Sequence, residues 1–258
     1  MIRFVHNFKE YRRESMYPVN PYMFVGKIIK SGLAFLWDAS SKSSYPGTGT
    51  TVFDISGNNN YGVLTNGVAY NTAEMGGQFI FDGVNDCILG PIIEPQQYTI
   101  GLWFKATGAP SANNDATGSC LISTNPQNIP TTTGMYWISY SYSAKRLTIK
   151  YRTATYLIES VSDNTWHHIS FSSKNNDQNT NTDATICYDG TIISTSVAGV
   201  GYDYPTSGVR NMSLGRWGYT GFNRYFKGNI PLAYMYTRAI SEAEMLRNYK
   251  ETKSFFGL

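Results

Sequence analysis

Short apolar segments recur from Gly32 onward, and residues that favour turns bound each of them. The clearest are Leu33–Trp37, Gln78–Phe81, Tyr98–Phe104, Met135–Tyr140, Arg146–Tyr151 and Trp166–Phe171. In the last three, apolar and polar residues alternate, which is typical of a strand with one buried face. The pair Asp189-Gly190 lies between two further apolar runs and is the strongest short-range signal for a β-hairpin. The pattern predicts an all-β chain of two antiparallel sheets packed face to face.

Composition supports the same class of fold. The chain has 258 residues, enough for one complete β-sandwich with a short additional segment. Aromatic residues are as frequent as charged ones, at 15% each, and they include 20 Tyr. Such a mixture suits many short strands joined by turns, and it excludes a disordered chain and a helical bundle.

One helix is expected near the end of the chain. Residues 240–249 place Met245, Leu246 and Tyr249 on one face at helical spacing. Ser241 precedes them as an N-cap, and Glu244 three residues later completes a capping box. The chain should therefore close with a short helix packed on the sandwich.

The first 30 residues differ from the rest and are interpreted as an N-terminal anchoring arm, with the sandwich spanning residues 31–258. The arm has six basic and two acidic residues, whereas the remainder has 15 basic and 16 acidic residues. A nearly neutral body argues against a nucleic-acid partner. Because aromatic side chains are costly to leave in water, the arm is expected to dock on another protein, a disordered terminus being the alternative. The expected contact residues are Phe4, Phe8, Tyr11, Arg12, Arg13, Tyr17 and Tyr22.

Cysteine and hydropathy patterns limit the location of the protein. Cys87, Cys120 and Cys187 are odd in number and widely spaced, so we expect buried free thiols and neither a zinc site nor a disulfide framework. No apolar run approaches the ~20 residues of a membrane span. The N-terminal residues lack the apolar core of a signal peptide, which predicts synthesis in a cytoplasm.

Several motifs, in order, resemble concanavalin A-like domains of the laminin G type 3 kind, which have a jelly-roll fold. The resemblance covers residues 32–249, and its motifs are Trp37-Asp38-Ala39, Tyr45-Pro46-Gly47, Asp54-Ile55-Ser56-Gly57-Asn58, Phe81-Asp82-Gly83, Trp166-His167-His168 and Tyr188-Asp189-Gly190. The closing pattern Asn248-Tyr249 with Phe256-Gly257-Leu258 is similar to virion proteins of large tailed phages. This second resemblance implies a capsid, tail or fibre component.

Some relatives with this fold are endoglucanases, so catalysis has to be considered. Those retaining glycosidases need two carboxylates about 5 Å apart on one strand face, and their Glu-x-Asp-x-x-Glu spacing is absent here. His167 and His168 are adjacent, so a strand would direct them to opposite faces, one buried or hydrogen-bonded and the other at the surface. The sequence therefore predicts a protein that is not an enzyme and that needs no cofactor.

Calcium is the one cofactor that the resemblance leaves open, since many relatives hold it at a sandwich edge. Asp82, Asn85 and Asp86 cluster in one turn and carry the oxygen ligands that this hard cation prefers. The alternative is that these side chains stabilise the turn by bonding to its own backbone.

An aromatic and basic loop near the end of the sandwich is the best candidate for a binding site. Its candidate residues are Arg216, Trp217, Tyr219, Phe222, Asn223, Arg224 and Tyr225. Exposed aromatic and Arg side chains suit protein–protein contacts. They also suit sugar rings, which stack on aromatic faces. Packing within the fold is the third interpretation.

The favoured hypothesis is a non-enzymatic structural or decoration protein of a phage virion, made in the host cytoplasm. Its arm would bind other virion proteins, and many copies or a homo-oligomer would be present in the particle. The alternative is an adhesin that binds carbohydrate on the host surface, with affinity raised by multivalency. A polysaccharide hydrolase is the third hypothesis, which rests on the fold alone.

Overall fold

The computed structural model describes residues 28–93, 97–111, 118–126, 136–151, 154–174, 184–193, 197–198, 210–217 and 224–258. The expected arm contacts, from Phe4 to Tyr22, lie outside the described residues. Within these ranges the chain forms two antiparallel sheets and one short C-terminal helix, which confirms the predicted fold. No helix among these residues has the length and apolar composition to cross a membrane.

The first sheet has eight strands in the described part of the chain. They are β1 (Leu33–Asp38), β4 (Ala69–Asn71), β5 (Gln78–Asp82), β7 (Tyr98–Ala106), β12 (His167–Ser173), β13 (Ala184–Tyr188), β14 (Thr191–Ile193) and β17 (Lys227–Tyr236). Strand β17 lies at the centre, since it pairs with β7 on one edge and with β5 and then β1 on the other. Pro231 lacks an N–H, and the register of β17 against β7 shifts at this position.

The second sheet has nine strands in the described part. They are β2 (Thr51–Val52), β3 (Gly62–Thr65), β6 (Cys87–Ile92), β8 (Ser119–Pro126), β9 (Tyr136–Ser141), β10 (Arg146–Tyr151), β11 (Ala154–Ile158), β15 (Val197–Ala198) and β16 (Arg210–Leu214). Their spatial order is β15, β11, β10, β9, β8, β16, β6, β3, β2. The first and last of these strands have only two residues each, so both edges of the sheet are short.

The main core lies between the two sheets. Apolar residues from both inner faces fill it, including Trp37, Phe79, Ile100, Ile138 and Ile149. Ile122, Ile138 and Ile149 are directly opposite one another on neighbouring strands, so they form one continuous apolar row on the inner face. The three cysteines are buried free thiols, as expected.

The predicted hairpin is present. Strand β13 pairs with β14 through a two-residue turn in which Asp189 and Gly190 both have positive φ, 45° and 77°. Positive φ at both positions is the requirement of a type I′ turn, whose twist matches that of paired strands. The hairpin brings the Asp189 carboxylate beside β12, where it accepts the N–H of His168 at 2.7 Å.

Helix α1 (Glu242–Lys253) and the 3₁₀ turn Ser254–Phe256 cover the outer face of the eight-stranded sheet. Ser241 and Glu244 form the predicted capping box. Strand β12 was expected to bury one face only, but all seven of its residues are buried. The reason is that the second sheet covers one face of β12 and the helical segment covers the other.

The chain enters the sandwich beside this helix. Ile28 is buried in the same apolar cluster as Met245 and Phe256. The N–H of Ile29 donates to Asn248 Oδ1 at 2.9 Å, and its carbonyl accepts from the Tyr236 hydroxyl at 2.8 Å. Ile28 and Ile29 therefore lie on the helix side of the eight-stranded sheet.

Candidate functional site

The outer face of the nine-stranded sheet is the candidate site, and it is called the open face below because the described helix packs on the other sheet. Its centre, at Ser123, Ser139 and Ser213, is nevertheless buried, and its exposed residues lie towards the edges. One row of directly paired positions crosses it, and directly paired residues lie on the same face of a sheet. The row runs through Thr51, Val63, Leu89, Ser213, Ser123, Trp137, Lys150 and Thr155. With strands about 4.8 Å apart, the seven steps of this row span roughly 34 Å.

Small hydroxyl side chains form the centre of the open face and hold a loop against it. Ser123 and Ser213 lie 3.2 Å apart, and both donate to the carbonyl oxygen of Arg216, at 3.1 and 2.9 Å. Bulkier side chains at these two positions would separate the loop from the sheet. The loop consequently lies flat on the strands at its start.

The indole of Trp217 is the next element of the loop. It packs on Cys120 and is only 1% exposed. The guanidinium carbon of Arg224 lies 4.2 Å from the centre of this ring, and the Arg224 carbonyl accepts the N–H of Cys120 at 3.2 Å. Trp217 therefore attaches both ends of the loop to β8 and supports Arg224 above it.

These positions divide the loop residues that the sequence singled out. Trp217 packs within the fold, which was the third interpretation of this loop. Its ring is covered by Arg224 and by the sheet. Arg216, Arg224 and Tyr225 are partly exposed, and Arg216 and Tyr225 form an isolated β-bridge. Tyr219, Phe222 and Asn223 lie outside the described residues.

A second group of residues on the open face was missed by the sequence reasoning. Phe53 and Tyr61 are 40% and 42% exposed, and their ring centroids are 5.4 Å apart in an edge-to-face arrangement. Val63 is 47% exposed next to them, and the partly exposed Leu89 pairs with Val63. We call Phe53, Tyr61, Val63 and Leu89 the edge patch. The signal was present in Tyr61 and Val63, two large residues that alternate with Gly62 and Leu64.

Hydrogen bonds hold the edge patch in position. The Tyr61 hydroxyl donates to Asn59 Oδ1 at 2.8 Å. The N–H of Phe53 donates to the carbonyl of Ser44 at 2.7 Å, and Ser44 Oγ donates back to the carbonyl of Phe53 at 2.8 Å. The two rings are thus exposed and also preorganised, which lowers the entropic cost of binding.

Lys150 on β10 and Arg224 beside β8 lie further across the sheet from the edge patch. Burial lowers the pKa of Lys150, and the nearby charge of Arg224 lowers it further. Burial also lowers the pKa of Arg224. On the far side of the loop, Arg216 Nη1 lies 4.0 Å from Cys87 Sγ, and Cys87 is buried at a position of β6 that pairs with Thr65.

The candidate calcium residues form a turn between β5 and β6. Asp82 Oδ1 accepts the N–H groups of Val84 and Asn85 at 2.7 and 3.3 Å, and Asp86 Oδ2 accepts the N–H of Asp82 at 3.0 Å. These are the bonds of the turn-stabilising alternative. No group of three His, Cys, Asp or Glu side chains within the described ranges is arranged to hold a metal ion. Calcium binding by Asp82, Asn85 and Asp86 stays a prediction.

The two adjacent histidines do point to opposite faces, but neither lies at the surface. His168 is fully buried beneath α1, beside Trp103 and Tyr234, and burial lowers its pKa to about 4. His167 is 6% exposed, so the expected surface position is wrong for it. Its Nδ1 lies 2.7 Å from Asp189 Oδ2, and the Asp189-Gly190 hairpin covers it at one end of β12.

The architecture defines a class: a two-sheet jelly-roll-like sandwich in which, among the described residues, a helix covers the outer face of one sheet only. A family model described as the concanavalin A-like lectin/glucanases superfamily, laminin G type 3, matches residues 82–245. The chain belongs to this family. No curated protein matches the chain.

Solved structures with the same fold include a sialidase, one domain of an arabinanase and the binding domain of a mosquitocidal protein. A sialidase of Trypanosoma rangeli, solved with sialic acid, has a TM-score of 0.64 and 12% identity over 88% of this chain and 34% of its own. Domain 4 of an arabinanase from Geobacillus stearothermophilus, solved with arabinotriose, has a TM-score of 0.57 and 17% identity over 84% and 98% of the two chains. The binding domain of Paraclostridial Mosquitocidal Protein 1 has a TM-score of 0.56 and 15% identity over 88% and 52%. The chain thus spans about a third of the sialidase, and these likenesses show the fold.

Proposed function

We propose that the chain is a non-catalytic carbohydrate-binding domain that holds sugars on the open face, starting at the edge patch. The observation that carries the proposal is the exposed ring pair of Phe53 and Tyr61, which directly follow β2 and directly precede β3 at one edge of the nine-stranded sheet. The C–H face of a sugar ring stacks on an aromatic ring, while side chains such as Asn59 and Thr65 provide hydrogen bonds at its rim. Sugar binding was the alternative function expected from the sequence.

Fold relatives support this choice in a general way. The match to the arabinanase domain covers 98% of that domain, which was solved in complex with arabinotriose, a neutral oligosaccharide. The match to the mosquitocidal protein is to its binding domain. Both are similar to the present chain in fold at low identity, so they support a binding role and leave the ligand to be argued from this chain's own residues.

Ser162, His167 and Asp189 lie in the order of a catalytic triad, but their hydrogen bonds do not fit the function of one. This supports the non-catalytic part of the proposal. Ser162 Oγ lies 3.1 Å from His167 Nε2, and His167 Nδ1 lies 2.7 Å from Asp189. A general base needs an Nε2 lone pair directed at the serine hydroxyl. Here the carbonyl oxygen of Ser162 itself lies 2.9 Å from Nε2, so that nitrogen faces a hydrogen-bond acceptor. The group serves to attach the segment after β11 to the sheet.

The carboxylates lead to the same inference. Glu159 lies beside Arg146, with 3.7 Å between Oε1 and Nη1, and Glu244 forms an ion pair with Arg238 at 2.6 Å in the capping box. The Arg238 guanidinium lowers the pKa of Glu244 to about 2, so that carboxylate is a poor proton donor. A retaining glycosidase requires instead one carboxyl group with a raised pKa close to a second carboxylate. Burial raises the pKa of Asp86, and the charge of Asp82 raises it further. These two carboxylates, however, accept backbone N–H groups of their own β5–β6 turn, so we assign them to the turn.

The test is sugar binding by the full chain and by matched variants. Arabinotriose and a printed array of neutral and acidic oligosaccharides serve as probes, with affinities measured by calorimetry for each positive. We expect Tyr61→Ala to weaken binding about tenfold, the loss of one stacked ring. Val84→Ala removes an equally exposed apolar side chain from the β5–β6 turn, off the open face, and is the matched control. Absence of binding to every sugar, or equal affinities of the two variants, would overturn the proposal.

The second candidate function is the virion component that the sequence favoured, and one structural observation favours it. The chain enters beside α1, on the side of the eight-stranded sheet, so an arm attached to a particle would leave the open face directed away from it. A structural role and sugar binding are compatible in this arrangement. Deletion of residues 1–24 should leave a folded sandwich that fails to incorporate into particles. Full incorporation of the truncated chain would contradict an anchoring role.

A further inference from the structure

The rings of Phe53 and Tyr61 form a corner. The last pair of β2 and β3 is Val52 with Gly62, and one further step along the same register places Phe53 opposite Tyr61. The planes of the two rings are inclined at 76°, with 5.4 Å between the centroids, and the two residues are 40% and 42% exposed. Two sugar units can therefore stack on both rings only if the planes of the units also differ in direction.

The core beneath the corner fixes its shape. The carbonyl oxygen of Asn60, the residue before Tyr61, accepts the Trp37 Nε1–H at 3.0 Å. A Cβ atom at Gly62, the residue after Tyr61, would lie 2.7 Å from Ile88 Cγ2, so the backbone there lies directly on the core. Because the chain is held on both sides of Tyr61, the angle between the rings should change little when a ligand binds.

The segment that forms the corner brings no free charge to it. Asp54 is the one charged residue in the sequence from residue 49 to residue 73, and its carboxylate accepts three backbone N–H groups and one hydroxyl at 2.8 to 3.1 Å. Arg216 lies against Cys87, whose partner position on β3 is four residues, or about 13 Å, from Tyr61. The corner therefore offers stacking and uncharged hydrogen-bonding groups.

The orientation of successive units divides neutral sugar chains into two groups. In a 1,4-linked β-glucan each unit is flipped by half a turn relative to the last, so all units share one plane and form a flat ribbon. In a 1,4-linked α-glucan, a 1,3-linked β-glucan or a 1,5-linked α-arabinan, each unit is turned relative to the last. A ribbon that stacks on one ring of the corner cannot also lie flat on the second, whereas a turned chain can stack one unit on each.

We infer that the corner of Phe53 and Tyr61 selects neutral sugar chains whose successive units are turned relative to one another, and that it discriminates against flat ribbons. The inference rests on the proposed function and specifies its substrate class. Each ring stacks on one unit of the bound chain. Asn59, exposed beside Tyr61, supplies hydrogen bonds to the sugar hydroxyls.

The test compares turned and flat chains of equal length. Maltohexaose and cellohexaose have the same glucose units and the same 1,4 linkage positions, and they differ in the configuration at the linkage. Laminarihexaose and arabinohexaose are two further turned chains. Calorimetry with the full chain should show that the tightest of the three turned hexasaccharides binds at least tenfold more tightly than cellohexaose.

Two variants locate the preference. Phe53→Ala leaves the ring of Tyr61 and removes the corner, so it should weaken binding of the tightest turned hexasaccharide about tenfold and abolish the preference over cellohexaose. Phe53→Tyr keeps a ring at this position and should keep the preference. Val84→Ala, at an equally exposed apolar residue of the β5–β6 turn, should change neither affinity. Thermal unfolding checks that each variant is folded.

The outcomes separate this inference from the proposed function. Binding of cellohexaose as tightly as the turned chains, or a preference that Phe53→Ala retains, overturns the selection for turned chains while sugar binding stands. Binding on the sugar array without binding of any turned hexasaccharide has the same meaning. Binding of none of these oligomers, together with no binding on the array, overturns both.

Discussion

The two outer faces of the sandwich differ in almost every physical property. On the eight-stranded sheet the outer face is aromatic and sealed: Trp103 stacks on Phe256 with 3.9 Å between ring centroids, and its Nε1–H donates to Thr252 Oγ1 at 2.9 Å. On the nine-stranded sheet the outer face has small hydroxyls, cations and the exposed rings of the edge patch. The first outer face is thus occupied by the chain's own C-terminal segment, whereas the second exposes large apolar side chains at the edge patch.

The difference shows how similar residues serve different purposes in the two places. Aromatic rings contribute stability where a helix covers them, because both faces of each ring leave water. An aromatic ring of the same kind contributes little to stability when it is exposed at a sheet edge. There it can contribute mainly to ligand affinity. Substitutions on the two faces should therefore have opposite profiles of stability and affinity.

The largest effect should come from the sealed face. Trp103→Ala removes a buried indole together with its hydrogen bond to Thr252 and should cost about 4 kcal/mol of the free energy of unfolding. Tyr61→Ala on the open face should cost less than about 1 kcal/mol, since the ring is 42% exposed. Urea denaturation of both variants checks the comparison. Similar losses of stability would contradict the division between the two faces.

The second-largest effect should be a loss of stability at low pH, caused by His168 on the sealed face. Burial lowers the pKa of His168 to about 4, below its ordinary value of 6.5. The folded protein therefore favours the neutral imidazole, and this contribution is present above pH 6.5 and is lost as the pH falls towards 4. Between pH 7 and pH 5 the loss should be about 2 kcal/mol.

The control for this pH effect is His168→Leu, measured by denaturation at both pH values. This variant loses the bond to Tyr234 and is less stable at pH 7. Its stability should nevertheless change less between pH 7 and pH 5 than that of the original chain. An unchanged slope would mean that other groups cause the acid sensitivity.

The smallest effect concerns the hydroxyls of the open face. Ser123 and Ser213 both donate to one carbonyl oxygen, that of Arg216, so either bond can hold the loop when the other is lost. Ser213→Ala should cost about 0.5 kcal/mol, and the double variant with Ser123→Ala should cost more than the two single changes together. Additive losses would show that the two hydroxyls do not share this role.

Local patterns in the sequence predict the long strands and the terminal helix well. Strand β10 has the predicted bounds, Arg146–Tyr151, and the Asp189-Gly190 turn and the Ser241 cap are where their residue types place them. Each of these depends on neighbours in the chain. Strands β2 and β15, with two residues each, are too short to show a period and were missed.

The candidate site is less predictable because it depends on distant contacts. Trp217 is buried by Cys120 and Arg224, and no local pattern distinguishes it from an exposed aromatic residue. The burial of His167 and of both faces of β12 similarly depends on the terminal hairpin and helix. The edge patch forms because β2 pairs with β3 and β3 pairs with β6 in a particular register. Local sequence patterns do not specify this register.

A titration of the ¹⁵N-labelled chain with arabinotriose, followed by amide chemical shifts, tests the central claim most directly. The account predicts that the shifted amides lie around the edge patch, at Phe53, Tyr61, Val63 and Leu89, and that the amide shifts of α1 do not change. Shifts centred on α1 and Tyr234, with none on the open face, would contradict it.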